Sequence, residues 1–124
     1  LTGFHDRARI HSSWGFDEKL KSMFPQVAWM NERDATKCGI ADGDEVLVKN
    51  DQGELCLPVK LTSDIVEGTV AISQGAWYDA RRVDGREVDF GGCINTLAVY
   101  RSSPLAKGNP QHTNICRVTK FETK

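Results

Sequence analysis

A chain of 124 residues with 40% hydrophobic and 27% charged side chains has the length and apolar content of one globular domain with a single core. Its 16 basic and 17 acidic residues leave a net charge of -1, which gives no basis for bulk attraction to nucleic acid or to a membrane surface. No apolar run reaches the length of a bilayer span and no secretory apolar region is present, so direct membrane insertion is not expected.

The first residue is Leu1, which predicts that residues 1–124 are one domain taken from a longer polypeptide. From Leu1 to Phe24 there is little periodicity, and His5, Arg7, Arg9, His11, Ser12, Ser13 and Trp14 follow closely on one another. This predicts a surface loop, ordered only where it packs against other parts. Val27 to Met30 reads as a strand. Asn31 then supplies a helix N-cap, with Asp34 in the place of a capping-box Glu, and the helix stops at Gly39.

Asp42-Gly43 predicts a tight turn with positive φ. The alternation of Val46 and Val48 with Glu45, Leu47 and Lys49 predicts a half-buried strand. Asn50 to Gly53 turns the chain, and Glu54 to Leu61 returns as the second strand of a hairpin. Pro58 removes a ladder donor from that strand, which places it at an edge or bulge. Asp64 to Gly68 reads as a turn, Thr69 to Ile72 as a strand, and Ala80 to Gly92 as a solvated charged loop. The aromatic pair Trp77 and Tyr78, directly after a strand, reads as core packing. Ile94 to Tyr100 is compatible with a strand, Arg101 to Pro110 with a loop, and Thr113 to Phe121 with a closing strand. The expectation is a mainly β barrel with one or two short helices and long loops; the absence of βαβ alternation argues against a doubly wound sheet.

The four cysteines, Cys38, Cys56, Cys93 and Cys116, contain no C-x-x-C pair and read as buried free thiols. No G-x-S-x-G elbow fixes a nucleophile, and no calcium-loop spacing is present. Asp42, Asp44 and Asp51 stand on turns, where carboxylates commonly bond local amides. The stretch from Lys107 to Asn114 collects amide, hydroxyl and imidazole groups around Gly108. Such groups both donate and accept, which suits the edges of a heteroaromatic ring system.

Several blocks in order carry a resemblance: His11-Ser12-Ser13; Gly39 to Val46 with Asn50 and Gly53; Gly75-Ala76-Trp77-Tyr78-Asp79; Gly91-Gly92-Cys93-Ile94-Asn95; and Ser103 to Pro110. Together they resemble the molybdopterin dinucleotide-binding domain at the C-terminal end of the dimethyl-sulfoxide reductase family of molybdenum enzymes. Within it they are similar to the catalytic subunits of anaerobic dimethyl-sulfoxide reductases. The resemblance implies a double-psi β-barrel over a molybdenum bis(molybdopterin guanine dinucleotide) cofactor. His11, Ser12, Ser13 and Asn95 would contact a pterin, Gln111 and His112 would complete the grip, and His5 would contribute. It places the metal ligand and any iron–sulfur cluster in other domains of the same subunit, and predicts an isolated domain without activity. The partners it implies are those domains, an iron–sulfur electron-transfer subunit and a membrane-anchor subunit, at the periplasmic face of the bacterial inner membrane. The alternative reading is a stand-alone double-psi barrel that serves as an adaptor or substrate-recognition module without cofactor. A self-processed decarboxylase on that barrel would need a Gly-Ser cleavage point, and the sequence has no such dipeptide.

Overall fold

Eight strands form one mixed sheet in the computed structural model, which describes residues 1–108 and 112–122. The elements run β1 (Thr2–Phe4), α1 (Glu18–Met23), β2 (Ala28–Asn31), α2 (Glu32–Cys38), β3 (Glu45–Lys49), β4 (Glu54–Thr62), β5 (Val70–Ser73), β6 (Ala80–Val83), β7 (Arg86–Asp89), a 3₁₀ turn (Ile94–Leu97) and β8 (Arg117–Lys120). Along the sheet the order is β1-β5-β2-β4-β3-β8, with the β6–β7 hairpin joined to β4 through β7. The pairs β1–β5, β2–β4 and β4–β7 are parallel and the others antiparallel, so the fold is mainly β and mixed, as expected.

Local chemistry explains much of this. Asn31 caps α2 by accepting the Arg33 N–H at 2.9 Å, and Gly39 ends it in the left-handed region at φ 66°. Asp34 does not complete a capping box. Its carboxylate accepts the Gly68 N–H at 2.6 Å and so pins the turn before β5 to the helix. Gly43 takes φ 85° as its turn requires. Asp44 bonds the local Ala41 N–H, as its turn position predicts, whereas Asp42 reaches across to the Leu61 N–H on β4. Pro58 faces Glu45 at the end of the β3 ladder, and the β2 ladder begins at the next residue, Val59. It therefore stands where β4 changes partners, not on an outer edge, and its missing donor interrupts neither ladder.

The main core holds Val46, Val48, Leu55, Ile72 and Leu97, all fully buried. A second cluster of Leu47, Cys56 and Val88 covers the opposite face. β3 is thus buried on both sides over Val46 to Val48, not half-buried as alternation suggests. The cover comes from the β6–β7 hairpin, in the stretch expected to be a solvated loop. Asp84 and Gly85 both take positive φ, at 50° and 78°, the two-residue turn that suits hairpin twist. Three further expectations are corrected. The first segment is not all loop, since it contributes β1 and α1. Ile94 to Leu97 coils as a 3₁₀ turn instead of extending. Cys38 is exposed, while Cys56 is buried and Cys93 and Cys116 are partly so.

Candidate functional site

The N-terminal loop becomes ordered through one partly buried cation. Arg9 Nη2 reaches Asp6 at 3.0 Å, Gln26 Oε1 at 2.6 Å and Ser73 Oγ at 2.8 Å. Burial alone would raise the Asp6 carboxyl, but the Ala8 N–H and the Arg9 guanidinium outweigh it and hold the group below its ordinary value. Beyond Arg9 the chain makes a tight turn in which the Ser13 N–H donates to the Ile10 carbonyl at 3.0 Å. His11 and Trp14 both take left-handed backbone, at φ 52° and 67°. This turn lies directly on Gly75, and the Trp77 indole N–H donates to the Ser12 carbonyl at 2.8 Å.

The opposite wall is organised by Asp89, which is 1% exposed. Its two carboxylate oxygens accept from the N–H groups of Asp79 (3.0 Å), Gly91 (2.8 Å) and Cys93 (2.8 Å) and from the Thr96 hydroxyl (3.0 Å). A buried carboxylate of this kind is tolerable because its lone pairs are met by donors. The bonds fold residues 89–96 around the carboxylate and present Asn95 outward at the start of the 3₁₀ turn.

Of the residues expected to contact a pterin, His11, Ser12 and Asn95 line one groove of about 520 Å³, together with Gln74 and Trp77. His5 stands edge-to-face with His11, ring centres 5.7 Å apart. Ser13 remains on the same turn, its N–H engaged by Ile10. His112 lies elsewhere: its Nδ1 accepts the Gly3 N–H at 3.2 Å, and it lines a separate cavity of about 480 Å³ beside Met30 and Cys116. Gln111 lies outside the described residues.

Trp77 and Tyr78 are 56% and 53% exposed, which corrects their reading as core. Trp77 instead separates the groove from a neighbouring cavity of about 610 Å³, and Phe16 stands 6.1 Å from its ring. The Tyr78 hydroxyl, bonded to Glu87, is pushed up to about 12 and stays neutral. Arg9, Gln26, Gln74 and Asp89 were not legible as site residues. The usable signals were Gly75 directly after an apolar strand and the Asp84-Gly85 hairpin turn that brings Asp89 inward.

The groove's imidazole, hydroxyl and carboxamide groups fit a ligand with mixed donor and acceptor edges. Among the described residues, no group of three or more His, Cys, Asp or Glu side chains is placed to hold a metal ion.

A family model described as the molydopterin dinucleotide binding domain matches residues 1–115. The dimethyl sulfoxide reductase DmsA of Escherichia coli (strain K12) is 49% identical over 120 residues, 97% of this chain and 14% of that protein. DmsA of Haemophilus influenzae is 48% identical over 121 residues, 98% of this chain and 15% of its own length. Among solved structures, acetylene hydratase from Pelobacter acetylenicus superposes with a TM-score of 0.74 at 20% identity, covering 96% of this chain and 18% of that one. The last comparison speaks for the fold alone. The chain spans about 15% of the length of the curated relatives it matches.

Proposed function

The chain belongs to the molybdopterin dinucleotide-binding domain family, and from that premise we propose that it is the C-terminal, cofactor-gripping domain of a molybdenum oxidoreductase that reduces an S-oxide or N-oxide. The observation that carries this reading is the convergence of His11, Ser12, Gln74 and Asn95 on one groove, from three separate segments of the chain. A reduced pterin presents amide, amine and ring-nitrogen edges. Leaving one unpaired on burial costs about 1–3 kcal/mol, so a wall of groups that both donate and accept is what such a ligand requires.

On this reading His11, Ser12, Ser13 and Asn95 hold the pterin of a bis(molybdopterin guanine dinucleotide) cofactor, with His5 braced behind His11. His112 acts one strand away, at β1, and Gln111, its neighbour in sequence, is assigned to the same grip. When bound, the metal and its dithiolene supply the oxygen-atom transfer. The domain's own part is to orient the pterin and keep its edges paired. Residues 1–124 are then one domain of a larger catalytic subunit, inactive alone. Its partners are the other domains of that subunit, an iron–sulfur electron-transfer subunit and a membrane anchor, at the periplasmic face of the inner membrane. The double-psi arrangement is supported by two of the parallel pairs, β1–β5 and β2–β4. It is supported further by the segment before β8, which returns to β1 through the Asn114 carbonyl and the His112 ring.

The test is to purify the parent protein anaerobically and measure molybdenum together with the pterin released by acid oxidation. The reading fails if both are missing. In a loaded parent, Asn95→Ala should lower cofactor retention more than it lowers thermal stability.

A further inference from the structure

Gln26 stands just ahead of β2, and its carboxamide has every hydrogen-bonding position filled. Nε2 donates to the Ser73 carbonyl at 2.9 Å and to the Gly92 carbonyl at 3.0 Å. Oε1 accepts from Arg9 Nη2 at 2.6 Å and from the Ser73 hydroxyl. A primary amide offers two donors and two lone pairs, so nothing is left over.

The partners are not scattered. Arg9 lies two residues before His11, Ser73 precedes Gln74, and Gly92 lies three residues before Asn95. One side chain therefore ties together the three segments that line the groove. Gly92 is fitted to this contact. It has φ 76°, and a Cβ there would stand 2.8 Å from Cγ of Gln26 and 2.6 Å from Cδ2 of Leu57. Gln26 itself lines the neighbouring cavity on the far side of Trp77, so it does not form the groove's wall.

We propose that Gln26 is a positioning residue for the pterin grip, setting the spacing between the His11–Ser12 turn and the Asn95 turn through Arg9 and Gly92. This rests on the function proposed above. A merely structural amide would satisfy nearby carbonyls without favouring the groove. Here each bond leads to a segment that ends in a groove residue.

The experiment uses the full-length parent enzyme with Gln26→Glu and Gln26→Met. The Glu variant keeps the acceptor side toward Arg9 but sets an oxygen against the Ser73 and Gly92 carbonyls, whereas Met removes all four bonds at similar length. Amide hydrogen exchange should accelerate about tenfold over residues 92–97 in both variants, the effect of losing roughly one hydrogen bond's worth of local stability. Over residues 10–15 it should accelerate in the Met variant only. Molybdenum per polypeptide, and the half-time of pterin loss after dilution, should fall about tenfold in the Met variant, by the same arithmetic. Adding Gln26→Met to Asn95→Ala should then cost less than about twofold more, because groups acting through one another are not additive.

Unchanged exchange and retention in both variants would overturn the positioning role, as would fully additive losses in the double variant. Acceleration spread equally over the core strands would overturn it too, since that is the signature of a general structural role. These results presuppose a loaded parent. An unsubstituted parent without molybdenum or pterin overturns the proposed function itself, and the role of Gln26 with it.

Discussion

The carbonyl oxygen of His11 lies 1.7 Å from the position that a Cβ on Gly75 would take. The turn that carries His11 and Ser12 therefore rests on bare backbone, and Gly75, at φ 87°, meets both the steric and the conformational demand. Gly75→Ala should displace that turn and cost about 2–4 kcal/mol in urea unfolding, from strain plus the lost contact. Gly43→Ala is the control. It has nearly the same backbone at φ 85° but nothing within 4 Å, so it should cost only about 1 kcal/mol and leave cofactor retention intact.

Asp89 makes a second prediction. An Asn there has a single acceptor oxygen, so its NH₂ must face either the Asp79 and Gly91 N–H groups or the Cys93 N–H and the Thr96 hydroxyl. The hydroxyl can rotate to accept, but the backbone N–H groups cannot. Asp89→Asn should destabilise the chain by about 2–4 kcal/mol by chemical denaturation, and Thr96→Val by about 1 kcal/mol. Equal costs would show that the carboxylate is not the organiser of residues 89–96.

Acid should loosen the N-terminal loop through Asp6. Its folded-state pKa lies below the ordinary 3.8, so it contributes stability that is fully present above 3.8 and is lost as pH falls through the folded value. Asp6→Asn should cost about 1–3 kcal/mol at neutral pH, because the partly buried Arg9 is left with less compensation. The gap from the unsubstituted chain should close as the pH is taken below 3.8. A gap that persists unchanged into acid would mean that the carboxylate charge contributes nothing.

The thiols should react in a set order. Cys38 is exposed and should be alkylated first under native conditions. Cys56 is 2% exposed and its pKa is pushed to about 12 by burial, with Glu45 adding to the effect, so it should label only on unfolding. Timed alkylation followed by peptide mass analysis checks this.

How much of this was legible in the sequence depends on whether the information is local. The cap at Asn31, the stop at Gly39 and the turn at Asn50 to Gly53 are set by neighbours in the chain, and each stands where its residue types place it. The β6–β7 hairpin was also locally written, in Asp84-Gly85, but the charge of its flanks suggested solvent. The burial of Leu47 and Asp89 could not be read, because it depends on which strand lies over them. The same holds for the site. His11, Ser12 and Asn95 were named from motif blocks and meet in one groove, while His112 turns to β1. Arg9 and Gln26 have no local signature, because a lone Arg and a lone Gln carry no signal until the loops they join are brought together.

The pairing of Thr2 with Ala71 and of Val46 with Lys120 has a consequence in time. Synthesis delivers the His11 turn more than sixty residues before its seat at Gly75 and Trp77, and the Asn95 wall comes later still. Contacts so distant in sequence close slowly, since chain entropy is spent before they form. Until then Phe16 lacks the Trp77 ring that stands 6.1 Å from it in the folded chain. The groove is complete only once all three of its segments have been made.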